Sequence, residues 1–291
     1  MAARLGGVLF AGLRHVGRTR PGRAILTRPK VEEWVAVAIE AGTVRQSARF
    51  FLREARGRQT LERYELRSSG RPVYVRHSTG DRSVLHEIYY EGHYDLPAPV
   101  AAYLDGLDGD IEILDLGANI GLFGILMLAR FPQARITGFE PDGTNAEVHR
   151  RSMAENDREG RWKLVQAAAS NRDGRVSFLS GEFARSRIAA GTSTGEVDAV
   201  DVFPYLERAA FAKIDTEGGE WAILGDERFT SLPTPVLVLE YHEDLCPEPD
   251  PRPAALAALR SAGYETSETW SYPGQGMVWA WKPELQTGAA G

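Results

Sequence analysis

Acidic side chains and one histidine stand at the ends of two short apolar runs in the second half of the chain. Asp215 and Glu217 directly follow one run, and Glu240 and His242 lie at the end of the next. A histidine can take a proton from an alcohol near neutral pH, and a carboxylate can do so when neighbouring acids raise its pKa. These residue types predict general base catalysis, with His242 or Asp215 as the base and Glu217 in a positioning role.

A glycine-bearing stretch earlier in the chain has the residue types of a ligand-binding turn. The pattern D-x-G-x-N-x-G runs through Asp115, Gly117, Asn119 and Gly121. Glycine permits the positive φ that such a turn often requires, and it keeps side chains away from a bulky ligand. A helix predicted over 122–130 would then present the backbone N–H groups of its first turn to that ligand.

Alternating strands and helices must position these residues. Apolar runs predict five parallel strands, over 111–114, 135–139, 162–167, 211–214 and 236–240. Helices are predicted between them over 122–130 and 144–155, and after them over 253–262. A hairpin of 266–272 with 277–281 adds antiparallel strands at the end. The pattern predicts an α/β fold with a mostly parallel, Rossmann-like sheet, which binds ligands at the carboxyl ends of its strands.

Three separated motifs share the order and spacing of one known family. They are D-L-G-A-N-I-G at 115–121, G-F-E-P-D at 138–142 and K-I-D-T-E-G-G-E at 213–220. Together they resemble the FkbM family of class I S-adenosylmethionine-dependent methyltransferases, from about Val73 to about Tyr241, with Asn119 in place of the middle glycine. The resemblance implies S-adenosylmethionine as cofactor. It also implies O-methylation of a hydroxyl on a small molecule, such as a sugar or a polyketide-type natural product.

The resemblance also implies roles for the residues at the strand ends. Glu140 ends the second strand, where a carboxylate can accept hydrogen bonds from both ribose hydroxyls. Asp142 could contact the adenosine or cap the next helix, and Gln166 stands where class I relatives contact adenine. Asp115 could orient the turn and bind the methionine amino group through water, while Asn119 could cap the helix and line the same pocket.

Other interpretations of these residues remain open at this stage. Carboxylates with one imidazole also suit Mg²⁺ or Mn²⁺, but spacing does not establish a metal site, and we assign no metal ligand. Asp215 and Glu217 could instead cap the following helix, and Glu220 is expected to face solvent on it. At the level of function, the alternatives are a catalytically silent cofactor-binding scaffold and a nicotinamide-dependent oxidoreductase, which the missing G-x-G-x-x-G disfavours.

Composition and charge limit the class of protein. The single cysteine, Cys246, excludes an internal disulfide and favours a reducing, cytoplasmic setting. Residues 1–30 carry seven Arg or Lys and no acid, so the net charge of −6 leaves −13 on the remainder (−6 − 7). An acidic body argues against a nucleic-acid partner. The basic segment predicts a packed or mobile arm, with a membrane-surface helix as the less favoured alternative.

The chain divides by pattern into four segments. We predict a basic arm with N-terminal helices over 1–60, a hairpin lead-in or cap over 61–106, a methyltransferase domain over 107–284 and a disordered tail over 285–291. The lead-in brings His77, Asp81, His93 and Tyr94, which could face the active site. Residues 180–195, rich in Gly, Ser, Thr and Ala, predict a mobile loop that is either a lid or a connection.

Overall fold

The computed structural model describes residues 29–157, 159–179, 187–188 and 195–287. The chain divides after Gly92 into two compact units, and this division falls inside the segment 61–106 predicted as a lead-in. The basic arm at 1–28 lies outside the described residues, as does most of the loop predicted at 180–195. Within the described parts, no helix is long and apolar enough to span a bilayer.

The first unit consists of helices packed with a hairpin. Its elements are α1 (Pro29–Thr43), α2 (Ser47–Ala55), β1 (Leu61–Glu65), β2 (Pro72–Arg76), α3 (Asp81–His86) and a π-helical turn (Glu87–Glu91). The two helices and the antiparallel β1–β2 pair follow the sequence prediction, whereas α3 was not predicted. Val37, Phe50 and Tyr64 are buried in the core of this unit, because each lies on the apolar face of its element.

Two residues predicted to face an active site instead have structural partners within the first unit. The His77 ring is fully buried between the Glu54 carboxylate, 2.8 Å from Nδ1, and the Tyr64 hydroxyl, 2.6 Å from Nε2. Asp81 is fully buried and accepts hydrogen bonds from the Arg76 guanidinium at 2.9 and 2.7 Å. These contacts satisfy buried polar groups, as a folded core requires.

The second unit is built on a seven-stranded sheet. Its strands are β3 (Ile111–Leu116), β4 (Ala134–Phe139), β5 (Trp162–Val165), β10 (Phe211–Ile214), β11 (Val236–His242), β12 (Glu265–Tyr272) and β13 (Gln275–Trp281). Their spatial order is β12-β13-β11-β10-β3-β4-β5, and the antiparallel pairs are β12 with β13 and β13 with β11. β3, β10 and β11 are almost wholly buried, because parallel strands are covered on both faces. The predicted Rossmann-like fold is confirmed.

Helices connect and cover the strands of the second unit. They are α4 (Ala98–Asp105), α5 (Leu122–Arg130), α6 (Gly143–Asn156), α7 (Phe203–Leu206), α8 (Glu220–Leu224), a 3₁₀ turn (Glu227–Ser231), α9 (Pro251–Ser261) and α10 (Glu284–Thr287). The bounds of α5 match the prediction. The helix α10 occupies part of the tail that was predicted to be disordered, and residues 288–291 lie outside the described residues.

A smaller four-stranded sheet was not predicted as such. It contains β6 (Ala168–Ser170), β7 (Gly174–Leu179), β8 (Arg187–Ile188) and β9 (Gly195–Asp201), in the order β6-β9-β7-β8. Of these strands, the sequence predicts one, an added strand over 175–179 after the turn at 171–174, which corresponds to β7. The prediction ended the third strand of the main sheet at Ala167, whereas that strand stops at Val165 and the chain enters the smaller sheet at Ala168.

Candidate functional site

The glycine turn lies between β3 and α5 and has the predicted backbone shape. Gly117 has φ +81° and Gly121 φ +87°, so both occupy the left-handed region that favours glycine. A Cβ at Gly117 would collide with the carbonyl oxygen of Asp215, and one at Gly121 would lie 2.8 Å from the His149 ring. A Cβ at either glycine would therefore meet protein, and the binding of a ligand by the backbone of this turn stays a prediction.

A buried carboxylate joins this turn to the end of β4. Glu140 is 5% exposed, and its Oε2 accepts a hydrogen bond from the Asn119 N–H at 2.8 Å. Its Oε1 accepts one from the Asp142 N–H, also at 2.8 Å. Burial raises the pKa of Glu140 to about 7, although both backbone hydrogen bonds lower it. The Asn145 side chain adds a further hydrogen bond to this carboxylate.

The neighbours of Glu140 have more local partners than the sequence predicted. Asp142 is the N-cap of α6 and accepts from the N–H groups of Thr144 and Asn145, which confirms the capping interpretation. The Asn119 Oδ1 accepts from the adjacent Ile120 N–H at 2.7 Å. It therefore does not cap α5, whose N-cap is Gly121.

Gln166 lies on the surface at the end of β5. Its side chain is exposed, and its Oε1 accepts a hydrogen bond from the Arg150 guanidinium on α6 at 2.5 Å. Its Nε2 lies close to Gly143 in the first turn of α6. A role for Gln166 at an adenine ring stays a prediction.

A buried lysine links the glycine turn to two acids. The Lys213 Nζ lies 2.9 Å from the Gly117 carbonyl oxygen, 3.3 Å from Asp115 Oδ1 and 3.0 Å from Asp215 Oδ2. Asp115 is fully buried, and neither of its carboxylate oxygens has a hydrogen bond among the described residues. Burial raises the pKa of Asp115, and the Lys213 charge opposes this shift. The positive charge of Lys213 thus compensates the negative charges of Asp115 and Asp215, which the neighbouring strands β3 and β10 place close together.

Carboxylates surround His242 at the end of β11. Glu220 Oε1 accepts from the His242 backbone N–H at 2.9 Å and lies 3.1 Å from its Nδ1. On the other side of the ring, Nε2 lies 3.6 Å from Glu240 Oε1 and 3.7 Å from Glu217 Oε2. Burial lowers the pKa of His242, but the hydrogen bonds and charges of these acids outweigh it and raise the pKa to about 12. The ring is therefore protonated at neutral pH.

Glu220 differs from what the sequence predicted, whereas the positioning role of Glu217 stays a prediction. Glu217 has φ +51°, and burial, with the charges of Asp215 and Glu240, raises its pKa to about 8 against the opposing charge of His242. Glu220 was expected to face solvent, but it is fully buried and also accepts from the Gly218 N–H at 2.9 Å. The N-cap of α8 is Gly219, so neither Asp215 nor Glu217 caps this helix.

The strand ends thus bring most of the predicted residues into two connected groups. One contains the glycine turn, Glu140 and Asp115, and the other contains Asp215, Glu217, Glu240 and His242, with Lys213 bonded to both. Sequence reasoning quoted Lys213 without a role and misplaced Glu220. The available signal for Lys213 was a charged residue inside the buried strand F-A-K-I, since a buried charge requires a partner.

Comparison with known proteins gives a similarity over part of the chain. No family model matches. Methyltransferase sdnD of Sordaria araneosa is 34% identical to this chain over 91 residues, which are 31% of this chain and 32% of that protein. The matched segment therefore spans about a third of the relative's length.

Two solved structures illustrate distant similarity to this chain. An O-methyltransferase family protein from Burkholderia thailandensis superposes with a TM-score of 0.41 at 13% identity, covering 70% of this chain and 58% of that one. Precorrin-6y C5,15-methyltransferase from Geobacter metallireducens GS-15 does so with a TM-score of 0.37 at 17% identity, covering 63% and 87%. At these TM-scores neither superposition is used as an argument. The fold is assigned from the strand topology of this chain, and its function is proposed from its own residues.

Proposed function

We propose that this chain is an S-adenosylmethionine-dependent O-methyltransferase of FkbM type, acting on a hydroxyl of a small molecule such as a sugar or a polyketide-type natural product. The observation that carries the proposal is the buried Glu140 carboxylate, which joins the glycine turn to the end of β4. The partial similarity to a protein named a methyltransferase supports it.

The residues around the turn fit S-adenosylmethionine, which carries two positive charges and a ribose. Asp115 offers a buried carboxylate whose Oδ1 faces Lys213 at 3.3 Å, while its Oδ2 has no hydrogen-bond donor among the described residues and suits a cationic amino group, directly or through water. Glu140 stands at the carboxyl end of β4, where a carboxylate can accept hydrogen bonds from ribose hydroxyls. Asp215 adds negative charge nearby, which favours a sulfonium.

S-adenosylmethionine supplies an electrophilic methyl group when it is bound. The protein must align a hydroxyl oxygen with that group and accept the hydroxyl proton. Asp215 is the favoured acceptor of this proton. Its side chain is 22% exposed and its Oδ2 is fixed by Lys213, which leaves Oδ1 for a ligand. His242 keeps its own proton at neutral pH and is less suited to this step, and Glu217 would position the hydroxyl.

Replacement of Asp215 by asparagine tests this role. We expect the rate of S-adenosylhomocysteine release, measured over a panel of sugars and other hydroxylated acceptors, to fall about 10²- to 10⁴-fold, because the amide cannot accept the proton. Affinity for S-adenosylmethionine should fall far less than the rate, because Asp115 and Glu140 remain to bind the amino group and the ribose. Asp198→Asn is the control, since this acid is 74% exposed on β9, and it should keep the wild-type rate.

Equilibrium binding of S-adenosylmethionine and of NAD, combined with the assay of S-adenosylhomocysteine release, distinguishes the alternatives. If wild-type protein binds S-adenosylmethionine but no acceptor raises product release above background, the catalytically silent scaffold is favoured. If it binds NAD in preference to S-adenosylmethionine, the oxidoreductase is favoured. Wild-type turnover with an unchanged rate in Asp215→Asn would overturn only the assignment of the base.

A further inference from the structure

Three side chains of different chemistry converge where β10 and β11 end. Asp215, Glu240 and His242 each offer one ligand atom, and these atoms lie within 4.8 Å of one another. We infer that these three residues form a binding site for one divalent cation of the Mg²⁺ or Mn²⁺ class. This inference depends on the ligand geometry and not on the proposed methyltransferase function.

The His242 ring provides the strongest evidence for a ligand. Its side chain is 9% exposed, and its Nε2 lies 3.6 Å from Glu240 Oε1 and 3.7 Å from Glu217 Oε2. Two atoms bound to the same ion at about 2.1 Å stand roughly 3 to 4 Å apart. The 3.6 Å between Nε2 and Glu240 Oε1 is therefore too long for a hydrogen bond and suits two ligands of one ion.

The other side of the ring has the arrangement that metal-binding histidines commonly show. Nδ1 faces Glu220 Oε1 at 3.1 Å, and Glu220 is fully buried and also bonded to backbone N–H groups. A carboxylate on the second nitrogen fixes the orientation of the ring and increases its basicity as a ligand. Glu220 therefore aims Nε2 at the two acids.

The ligand set and its charge indicate which cation would bind. Two carboxylates and one imidazole are hard to borderline donors, which suit Mn²⁺ and Mg²⁺ better than soft metals. Glu217 Oε2, 3.7 Å from Nε2, could supply a fourth donor. Lys213 pairs with Asp215 through Oδ2, so Oδ1 is the oxygen left for the ion.

A bound cation would polarise an acceptor hydroxyl, which would reduce the demand on a carboxylate base. This gives the site a function in methyl transfer, but binding itself can be measured without turnover.

Electron paramagnetic resonance with Mn²⁺ tests the inference on the full-length chain after treatment with EDTA. Free Mn²⁺ gives a sharp six-line signal that is lost on binding, so a titration counts sites and gives the affinity. We expect one site per chain, and Mg²⁺ should compete for it. His242→Gln and Asp215→Asn should each weaken Mn²⁺ binding about tenfold or more, and Glu220→Gln should weaken it about 10- to 100-fold.

Glu243→Gln is the matched control, since Glu243 is an exposed acid directly after His242 and lies outside the proposed ligand set. It should bind Mn²⁺ like the wild type. Far-ultraviolet circular dichroism identifies any variant that fails to fold. If the variants at the buried residues His242 and Glu220 do not fold, Asp215→Asn still tests the inference, because the Asp215 side chain is partly exposed. Absence of Mn²⁺ binding to the wild type, or equal binding in Asp215→Asn and Glu243→Gln, would overturn the inference.

Discussion

Gly117→Ala should lower the free energy of unfolding by about 4 kcal/mol or more, enough to prevent folding in many domains. Two effects add at this position. The backbone has φ +81°, which is unfavourable for any residue with a Cβ. In addition, the new Cβ would collide with the Asp215 carbonyl oxygen. That oxygen belongs to backbone that cannot rotate away, so β10 and the turn would have to separate.

Gly263→Ala separates the two effects. Gly263 has φ +79°, almost the same as Gly117, but no atom lies within 4 Å of the position its Cβ would take. This variant should therefore lose only about 1 to 2 kcal/mol from the backbone conformation. Urea denaturation followed by circular dichroism measures both variants. Equal losses in the two would show that the close approach of Asp215 to the turn is wrong.

Lys213→Met should lower the free energy of unfolding by about 3 to 5 kcal/mol at pH 8, because it leaves Asp115 buried without a compensating charge. Burial already raises the pKa of Asp115, and the lysine opposes that shift. Without the lysine the pKa rises further above its value in the unfolded chain. The ionised form then destabilises the fold at high pH, and the penalty declines as pH falls and the carboxyl becomes protonated.

Urea denaturation of Lys213→Met at pH 8 and at pH 5 tests the direction of this pH dependence. The decrease in the free energy of unfolding relative to wild type should be smaller at pH 5. Adding Asp115→Asn should recover part of the loss at pH 8, since the two groups interact directly. Lys163→Met, at an exposed lysine on β5, should be nearly neutral. A Lys213→Met variant as stable as Lys163→Met would contradict the compensating role.

The sequence predicted the main sheet well because its strands are buried on both faces. Phe211–Ile214 was predicted with its observed bounds, and Val236 was placed at the start of β11, since apolar runs between helices have few alternatives. β9 was missed although V-D-A alternates, because the glycine- and serine-rich residues before it suggested a continuing loop. Its pairing with β7 and β6 is a tertiary contact that no local pattern encodes.

The sequence predicted where the site residues lie along the strands, but it did not predict which side chains they contact. The positions of Glu140, Asp215 and His242 followed from one rule, which is that open α/β sheets bind ligands at the carboxyl ends of their strands. The burial of Glu220 did not follow from its helix, because α8 is only five residues long and its first residue packs against the end of β11. The high pKa of His242 likewise depends on three acids that only the folded chain brings together.

Isothermal titration calorimetry with S-adenosylmethionine tests the central claim most directly, namely that Glu140 binds this cofactor beside the glycine turn. We predict one site per wild-type chain and affinity lower by about tenfold or more in Glu140→Gln, since hydrogen bonds to a charged acceptor contribute about 1.5 to 3 kcal/mol. Glu207→Gln, at an exposed acid after α7, should bind like the wild type. No binding to the wild type, or equal affinity in Glu140→Gln, would contradict the claim.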